Sequence, residues 1–369
     1  MNNQTKLSGV QLTFFILQTQ IGVGILGLPF NVYLKSKQDA WISVILAGIL
    51  VQGMVFLLWF LGRRFPSKSI FEYSKILLGN GIGTILNCGY ILYGLLVTAL
   101  VLMYSTKIIK MWVLIFTPKW IIMVLLVATA IYLAKEDVVG ISNVYVLVSS
   151  LILFLLVISI IVLVTHPVDF RYLFPMAHSG GVNWLKGANE AYFSMLGFEL
   201  LLILYPHFQQ IGSASILKSV TVANISVTTI YCFMTIVSLV IFSPAEIEII
   251  PQPVLYFVKS LYLKIIERID LVFLSLWIVN VITSLTSYLF FSTEGTSFFI
   301  RKVKKIKRTF LPVLFGITGL IIALSVNNEH MEMYNKAIIF MSYIFVILIP
   351  VLLLGVSFLF KKQERAKRS

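Results

Sequence analysis

Apolar residues along this chain occur in long runs, which short polar or charged segments separate. A helix needs about 20 apolar residues to cross a hydrocarbon core of about 30 Å. Divided at its charged and Pro- or Gly-rich breaks, the pattern predicts ten membrane spans. Their approximate bounds are 10–34, 40–62, 82–106, 119–134, 142–165, 184–208, 218–242, 270–295, 309–326 and 334–359. The pattern thus predicts an all-α integral membrane protein with a single transmembrane domain over residues 1–369.

The first span contains an unusual stretch, in which Gly22, Gly24, Gly27 and Pro29 stand where an ordinary span carries Leu or Val. Inside a helix, glycine costs about 1 kcal/mol and proline about 3 kcal/mol relative to alanine. In lipid, a broken helix is tolerated only where its freed backbone groups line a cavity or find protein partners. The stretch therefore predicts a mid-membrane binding site, although the same glycines are also typical of close helix packing.

Span 6 is the second interrupted span, because Gly197 lies in its middle and Pro206 lies near its end. It also carries Glu199 close to the predicted midplane of the membrane. A carboxylate there is costly unless it is paired, protonated or hydrated. Two interpretations follow: Glu199 acts in a functional site, or it is a structural acid that hydrogen-bonds the broken backbone.

Spans 1 and 6 take equivalent places if the ten spans form two sets of five, residues 1–165 and 166–359, followed by a basic tail, 360–369. Each set has an odd number of spans, so the two halves have opposite topology. Paired interrupted helices in the halves of an inverted repeat point to a central substrate site. We therefore predict a five-plus-five inverted repeat with broken helices 1 and 6.

The chemistry of this predicted site follows from backbone polarity. The start of a half-helix offers unpaired N–H groups and a positive dipole end, so residues 23–26 would hold a carboxylate. Carbonyls freed near Phe193, Ser194 and Leu196 would accept hydrogen bonds from an ammonium group. Such a site complements both ends of a free amino acid.

The candidate residues fall into two groups. Those predicted to bind ligand or shape its pocket are Gly22, Val23, Gly24, Ile25, Gly27, Tyr93, Phe193, Ser194, Leu196, Phe198 and Trp277. Those with a structural or coupling role are Pro29, Gly197, Glu199, Thr283 and Ser284. The hydroxyls of Thr283 and Ser284, with carbonyls of span 1, would suit a coupling cation. Hydroxyls in membrane helices also commonly bond to their own helix or to a neighbouring one.

Composition agrees with the membrane assignment and narrows the function classes. The chain is 59% hydrophobic and 12% charged, which excludes a soluble domain of this size. Its two cysteines, Cys88 and Cys232, lie in apolar runs, so neither a disulfide framework nor a zinc cluster is predicted. The four histidines are scattered, and no catalytic motif is present. We expect no enzyme, no cofactor and no metal site.

The positive charge is distributed unevenly. With the N-terminus in the cytoplasm, 18 of the 29 Lys and Arg lie on the inner side and 11 on the outer, so the positive-inside rule places both termini in the cytoplasm. We interpret the basic cluster at 301–308 as a determinant of topology and a contact to lipid headgroups, with docking of a partner as the alternative. Aromatic residues do not interleave this cluster, so nucleic acid is not an expected partner.

These motifs resemble a known group of membrane proteins. Gly-Val-Gly-Ile-Leu-Gly-Leu-Pro at 22–29 and Leu-Gly-Phe-Glu at 196–199 resemble the amino acid-polyamine-organocation superfamily. The whole chain is similar to the B subunits of GerA-type nutrient germinant receptors of endospore-forming bacteria. Phe-Glu-Tyr at 71–73, residues 195–199, and Ile-Glu-Arg-Ile-Asp at 266–270 followed by Phe-Leu-Ser-Leu-Trp at 273–277 carry this likeness.

The resemblance implies a LeuT-like fold and a sensor that binds a nutrient, typically an amino acid, in a transporter-like pocket. It implies an A subunit and a lipoprotein C subunit as partners, in the inner membrane of the spore. It places the carboxylate-binding segment at 22–27 and the amine-binding segment at 193–198. One departure is span 5: proton-coupled members of the superfamily can carry a lysine there, and residues 142–165 contain no charged residue.

Two other functions remain open on the sequence. A secondary transporter of amino acids would use the same pocket with alternating access. A membrane scaffold or ion-conducting subunit would leave that pocket without a ligand. Net uptake of substrate distinguishes the transporter from a receptor, which is expected to couple tightly to its partners and to carry little flux.

Overall fold

The structure is a computed structural model that describes residues 7–261, 268–300 and 304–364. Over those residues the chain is helical or irregular, with no strand. Three features noted above fall partly outside this range: Ile266 and Glu267 of the family motif, residues 301–303 of the basic cluster, and the tail after residue 364.

Sixteen α-helices make up the described part. Those before residue 200 are α1 (Gly9–Gln20), α2 (Gly24–Ser36), α3 (Ala40–Arg64), α4 (Ile70–Trp112), α5 (Lys119–Ala134), α6 (Val138–Val148), α7 (Ser150–Thr165) and α8 (Gly181–Ser194). Those after it are α9 (Leu201–Phe208), α10 (Ser213–Ile241), α11 (Pro244–Ile247), α12 (Pro253–Lys259), α13 (Ile269–Phe299), α14 (Lys304–Ser325), α15 (Met331–Ser342) and α16 (Ile349–Leu359). Short 3-10 turns cover Lys37–Asp39, Phe170–Leu173, Phe198–Leu200, Gln209–Ile211 and Asn328–His330, and a π-helical turn covers Tyr343–Leu348.

The membrane character of these helices is confirmed. Within the described residues, six helical segments are long and apolar enough to cross a membrane, and the bent pair formed by α8 with the 198–211 segment makes a seventh. Two shorter apolar helices, Lys119–Ala134 and Thr309–Ser325, fall on two further predicted spans. The count of ten spans and the division at residue 165 stay predictions.

Helix α4 begins with a short segment, residues 70–78, that is set off from the rest of the helix. A capping box formed by Ser69 and Glu72 starts the helix, with the Ser69 N–H donating to the Glu72 carboxylate at 3.1 Å. Gly79 then adopts φ +81°, which no helical residue has, and so turns residues 70–78 away from the rest of α4. A short helix therefore precedes the long part of α4.

A buried acid fixes one end of the bundle. The carboxylate of Asp39, in the turn between α2 and α3, accepts from the backbone N–H groups of Ala177 at 2.7 Å and Ser179 at 2.9 Å. It also accepts from the Ser179 hydroxyl at 2.6 Å and the Trp184 indole N–H at 3.0 Å. The long connection from α7 to α8 is thereby held over the α2–α3 turn. We call this side of the bundle the Asp39 end.

The π-helical turn between α15 and α16 has an identifiable cause. The N–H of Ile349 bonds to the carbonyl of Ile344, five residues earlier. In this pattern the carbonyl of Phe345 would pair with the N–H of residue 350, which is proline and has none. The hydroxyl of Tyr90 on α4 donates to that carbonyl at 2.7 Å and satisfies it.

The helices that surround the middle of the bundle pack closely. Helix α13 packs along α4 and α5 and also contacts α1, while α10 packs on α3 and α1. Helix α2 lies against α8. This arrangement places the two interrupted segments, α1–α2 and α8–α9, beside each other in the interior.

Candidate functional site

The first break separates α1 from α2 at residues 21–23, as the sequence predicts. Helix α1 closes with the N–H of Ile21 bonded to the carbonyl of Leu17 at 2.9 Å, and α2 starts at Gly24. Val23 stands at the N-cap of α2 and provides no side-chain cap. The first N–H groups of a helix have no partner within it, so those of α2 are available as donors.

The second break separates α8 from α9 at Met195–Gly197 and depends on a glycine. Gly197 has φ +130°, a conformation that side chains strongly disfavour. Space requires glycine as well: a Cβ there would lie 2.9 Å from the backbone nitrogen of Gln20 and from the carbonyl carbon of Thr19. The backbone of the second break therefore lies directly against the end of α1.

Tyr231 on α10 joins the two breaks. Its hydroxyl lies 2.8 Å from the carbonyl oxygen of Gln20 and 3.1 Å from that of Ser194. The side-chain amide of Gln20 donates to the carbonyl of Met195 at 2.8 Å. Across the same contact, a Cβ at Gly24 would lie 2.8 Å from the Cβ of Ser194. The ends of α1 and α8 and the start of α2 thus meet in one place.

Glu199 is the acidic residue beside the second break, and it is only 1% exposed to solvent. Its carboxylate accepts from the N–H of Gly197 at 2.6 Å, from the hydroxyl of Tyr288 at 2.8 Å and from that of Tyr93 at 3.3 Å. The side chain therefore fastens the broken backbone of α8–α9 to α4 and α13. This geometry supports the structural interpretation of Glu199, and it brings Tyr93 into the site.

Helix α13 contacts the first break through Trp277 and two hydroxyls. The Trp277 indole N–H donates to the carbonyl of Gly22 at 3.3 Å. A Cβ at Gly22 would lie 2.6 Å from the hydroxyl of Ser284, which donates to the carbonyl of Thr19 at 2.9 Å. The Thr283 hydroxyl lies 3.3 Å from the carbonyl oxygen of residue 18 and 2.8 Å from that residue's side-chain oxygen. These hydroxyls hold the end of α1.

Helix α6 also takes part in these hydrogen bonds, through Tyr145. The hydroxyl of Tyr145 donates to the carbonyl of Thr283 at 2.6 Å and lies 2.8 Å from the Ser287 hydroxyl. The Ser287 hydroxyl in turn lies 2.8 Å from that of Thr19. A chain of hydroxyls therefore connects α6, α13 and α1 below the break.

Aromatic rings line the opposite side of the site. Tyr93 stacks on Phe345, with ring centroids 5.8 Å apart. Phe198 meets the edge of Tyr192 at 6.4 Å, and Tyr192 stacks on Tyr343 at 5.9 Å. Because Tyr343 and Phe345 belong to the π-helical turn, that turn directs two rings towards the second break.

Two buried side-chain amides beside the breaks have unsatisfied polar atoms within the described part of the chain. The side-chain oxygen of Gln20 and both polar side-chain atoms of Asn280 have no hydrogen-bonding partner among the described residues. Asn280 is fully buried and stands three residues after Trp277 and four before Ser284, on the same face of α13. Buried polar atoms are nearly always bonded, so these atoms are candidate contacts for a polar ligand.

Some of the predicted residues lie away from this site, and others have carbonyls that already accept a hydrogen bond. Gly27 lies one turn further along α2, where a Cβ would meet the carbonyl of Pro251 at 3.2 Å instead of α8. Ile25 is buried in α2, and Pro29 lies inside the same helix. The carbonyl of Phe193 accepts from the N–H of Leu196 at 3.4 Å, and that of Ser194 is engaged by Tyr231 as described. Site roles for all these residues stay predictions.

Three tyrosines of the network were not among the predicted site residues. Tyr231, Tyr288 and Tyr145 lie in apolar runs, and each is almost completely buried. A buried tyrosine hydroxyl needs a hydrogen-bonding partner, so a tyrosine in the middle of a span was the available signal. Within the described ranges, no cluster of His, Cys, Asp or Glu residues is placed to hold a metal ion.

Solved structures with a similar fold are membrane transporters. MhsT in complex with L-phenylalanine aligns with a TM-score of 0.69 over 97% of this chain and 90% of its own, at 14% identity. A Na⁺-coupled sialic acid symporter aligns with a TM-score of 0.68 over 96% of this chain and 78% of its own, at 11% identity. These similarities confirm the predicted LeuT-like fold.

Sequence relatives are spore germination proteins. GerQB of Bacillus cereus is 25% identical over 328 residues, which cover 88% of each chain. Spore germination protein A2 of Bacillus subtilis (strain 168) is 26% identical over 353 residues, 92% of each chain. A family model described as "Spore germination protein" matches residues 6–331. With its broken helices and transporter-like fold, this chain belongs to the spore germination protein family.

Proposed function

We propose that this chain is the nutrient-sensing B subunit of a germinant receptor and that it binds a free amino acid between the two breaks. The observation that carries the proposal is the direct meeting of the breaks, joined by the Tyr231 hydroxyl at 2.8 Å from Gln20 and 3.1 Å from Ser194. A ligand that binds there contacts both interrupted helices at once. Binding would therefore change how the two halves of the protein pack.

The backbone around the breaks is complementary to an amino acid. The uncapped N–H groups at residues 23–25 favour a carboxylate, since the start of a helix carries a positive partial charge. The free side-chain oxygen of Gln20 and the carbonyls near Ser194 and Leu196 are acceptors for an ammonium group. MhsT, which has the same fold, is known in complex with L-phenylalanine, and this supports an amino acid as the class of ligand.

The cellular setting is part of the same proposal. As a B subunit, the chain would act with an A subunit and a lipoprotein C subunit in the inner membrane of the spore. The uneven distribution of Lys and Arg supports an orientation with both termini in the cytoplasm. Membership of the spore germination protein family supports this setting.

A secondary amino acid transporter is the second candidate, and one observation favours it. The hydroxyls of Thr283 and Ser284 lie beside the carbonyls of residues 18 and 19, at 2.9–3.3 Å. Hydroxyl and carbonyl oxygens of this kind suit a coupling cation, and one structural neighbour is Na⁺-coupled. This candidate predicts net uptake that depends on an ion gradient.

The test introduces a methyl group between the two breaks. Gly24→Ala places a methyl group 2.8 Å from the Cβ of Ser194 and 3.1 Å from its Cα, so α2 and α8 must move apart. Ser194→Gly in the same chain removes the side-chain atoms from that contact. Gly53→Ala is the control, because a Cβ at Gly53 meets nothing within 4 Å. Spores carrying each variant are exposed to a panel of amino acids, and subunit levels are checked by immunoblot.

We expect Gly24→Ala to abolish or shift the response to one amino acid at normal protein levels. The double variant is expected to recover part of that response, and Gly53→Ala to respond like the wild type. Unchanged responses in Gly24→Ala and in a deletion of the chain would refute the sensing role. Uptake of labelled amino acid into vesicles containing the purified protein, driven by a sodium or proton gradient, would favour the transporter instead.

A further inference from the structure

A cavity lies at the Asp39 end of the bundle, and the residues that line it are not among those of the central site. It has a volume of about 410 Å³ and lies where α4 ends, α5 begins, α14 ends and α15 begins. Its interior surface includes the buried side chains of Met103, Met123, Ala323 and Met331. The inner part of the cavity is therefore apolar.

The rim of this cavity is positively charged. Lys107, Lys110 and Lys119 line it, and the lining contains no acidic residue. None of the three lysines forms an ion pair within the described part of the chain, whereas Lys35 and Lys37 at the same end of the bundle each lie within 4.0 Å of a glutamate. Three unpaired ammonium groups around one opening favour a negatively charged occupant.

A buried hydroxyl in the cavity lacks a partner. Thr106 lines the cavity and is 3% exposed, and its Oγ1 has no hydrogen-bonding partner among the described residues. A threonine in a helix usually donates to the carbonyl four residues earlier, which here is that of Leu102. The neighbouring Ser105 follows this rule and donates to the carbonyl of Val101 at 2.7 Å, whereas within the described residues Thr106 makes no such bond. The Thr106 hydroxyl is thus left as a donor for a molecule inside the cavity.

Exposed apolar and aromatic residues near the cavity indicate that it lies at the membrane interface. In the connection between α4 and α5, Phe116 is 98% exposed and Ile115 is 59% exposed, and Trp120 at the start of α5 is 55% exposed. Aromatic and apolar residues at the end of a membrane helix typically contact the headgroup region of the bilayer. The rim lysines therefore lie where the phosphates of lipids are found.

We infer that this cavity binds an anionic phospholipid, whose phosphate contacts Lys107, Lys110 and the Thr106 hydroxyl, with Lys119 closing the rim. One acyl chain would occupy the methionine-lined interior. The inference rests on the apolar interior, the unpaired cationic rim and the unsatisfied hydroxyl, and it is independent of the ligand in the central site. It gives the protein a means of responding to the lipid composition of its membrane.

The experiment titrates phosphatidylglycerol into phosphatidylcholine nanodiscs that hold the full-length protein, and it follows thermal unfolding. We expect wild-type protein to be stabilised in a saturable manner. The triple variant Lys107→Gln, Lys110→Gln and Lys119→Gln is expected to weaken the apparent affinity roughly a hundredfold, since each surface lysine contributes several-fold to binding of anionic lipid. Thr106→Val keeps the shape of the side chain and is expected to weaken it about tenfold.

Controls separate this site from general effects of charge. Lys186→Gln removes an exposed lysine at the Asp39 end that does not line the cavity, and its titration should match the wild type. Inorganic phosphate and glycerol phosphate, tested without anionic lipid, should not stabilise the protein. If they stabilise the wild type as well as the lipid does, and the triple variant not at all, the occupant is a soluble anion and the lipid assignment is wrong. Identical lipid titrations for the wild type and Thr106→Val, with the triple variant folded and unchanged, would also overturn it.

Discussion

Replacing Glu199 distinguishes a hydrogen-bonding role of this acid from a role that requires its charge. Three donors converge on the carboxylate: the N–H of Gly197 at 2.6 Å, and the hydroxyls of Tyr288 at 2.8 Å and Tyr93 at 3.3 Å. Glu199→Leu would leave all three donors without an acceptor in the protein interior. Each unsatisfied buried donor costs about 1–3 kcal/mol, so the free energy of unfolding should fall by about 3 kcal/mol or more.

Glu199→Gln should behave differently, because an amide can satisfy the same three groups. Its oxygen accepts from the N–H of Gly197, while its NH₂ group donates to the oxygens of Tyr93 and Tyr288, which accept as readily as they donate. What is lost is the extra strength of hydrogen bonds to a charged group and the acceptor for the two tyrosine O–H protons, while each of the three groups keeps one hydrogen bond to the amide. We expect a cost of about 1–2 kcal/mol, below that of Glu199→Leu, because no group is left without any hydrogen bond.

The assay is thermal unfolding of the purified variants, paired with germination of spores that carry them. Glu190→Leu is the matched control on α8, since Glu190 is partly exposed and pairs with the exposed Lys35 at 3.9 Å. Its loss should cost at most about 1 kcal/mol. Equal destabilisation by Glu199→Leu and Glu199→Gln would refute the hydrogen-bond reasoning, as would a neutral Glu199→Leu. A stable Glu199→Gln that no longer responds to nutrients would assign the negative charge a functional role.

Two further predictions concern packing and the π-helical turn. A Cβ at Gly48 on α3 would overlap the Oγ1 and Cγ2 atoms of Thr228 on α10, so Gly48→Ala should destabilise the protein by about 1–3 kcal/mol. At Gly53 on the same helix nothing lies within 4 Å, so Gly53→Ala should stabilise by up to about 1 kcal/mol; a reversed order in thermal unfolding would contradict this packing. Tyr90→Phe removes the donor to the Phe345 carbonyl and should cost about 1–3 kcal/mol, measured by the same assay; no loss would mean that another group satisfies this carbonyl.

Much of the fold could be predicted because the sequence features that produce it act over only a few neighbouring residues. The long apolar runs give the helices, and Gly79, Gly197 and the glycines at 22–24 interrupt them where the structure does. Pro350 likewise fixes the position of the π-helical turn, since a missing N–H changes the hydrogen bonds of its own helix. Such effects act within a few residues of the chain, and for this reason a single sequence contains them.

The partners of the site's polar groups were not predictable in this way. Tyr231 lies 211 residues from Gln20 along the chain and 37 residues from Ser194, and its hydroxyl bonds to both. Tyr288 meets Glu199 across 89 residues, and nothing in its local sequence indicates an acid nearby. The same separation explains why the local sequence does not show that Gly27 lies beside the carbonyl of Pro251.

The sequence by itself therefore determined that this protein is a helical membrane protein, where its helices break, and which family it resembles. Only the tertiary structure decided that the two breaks touch, that Glu199 closes one of them by accepting three hydrogen bonds, and that the hydroxyls of α13 hold the end of α1. The physical reason is the distance along the chain over which each effect acts. Helix formation and interruption depend on neighbouring residues, whereas the pairing of buried polar groups depends on how distant helices pack.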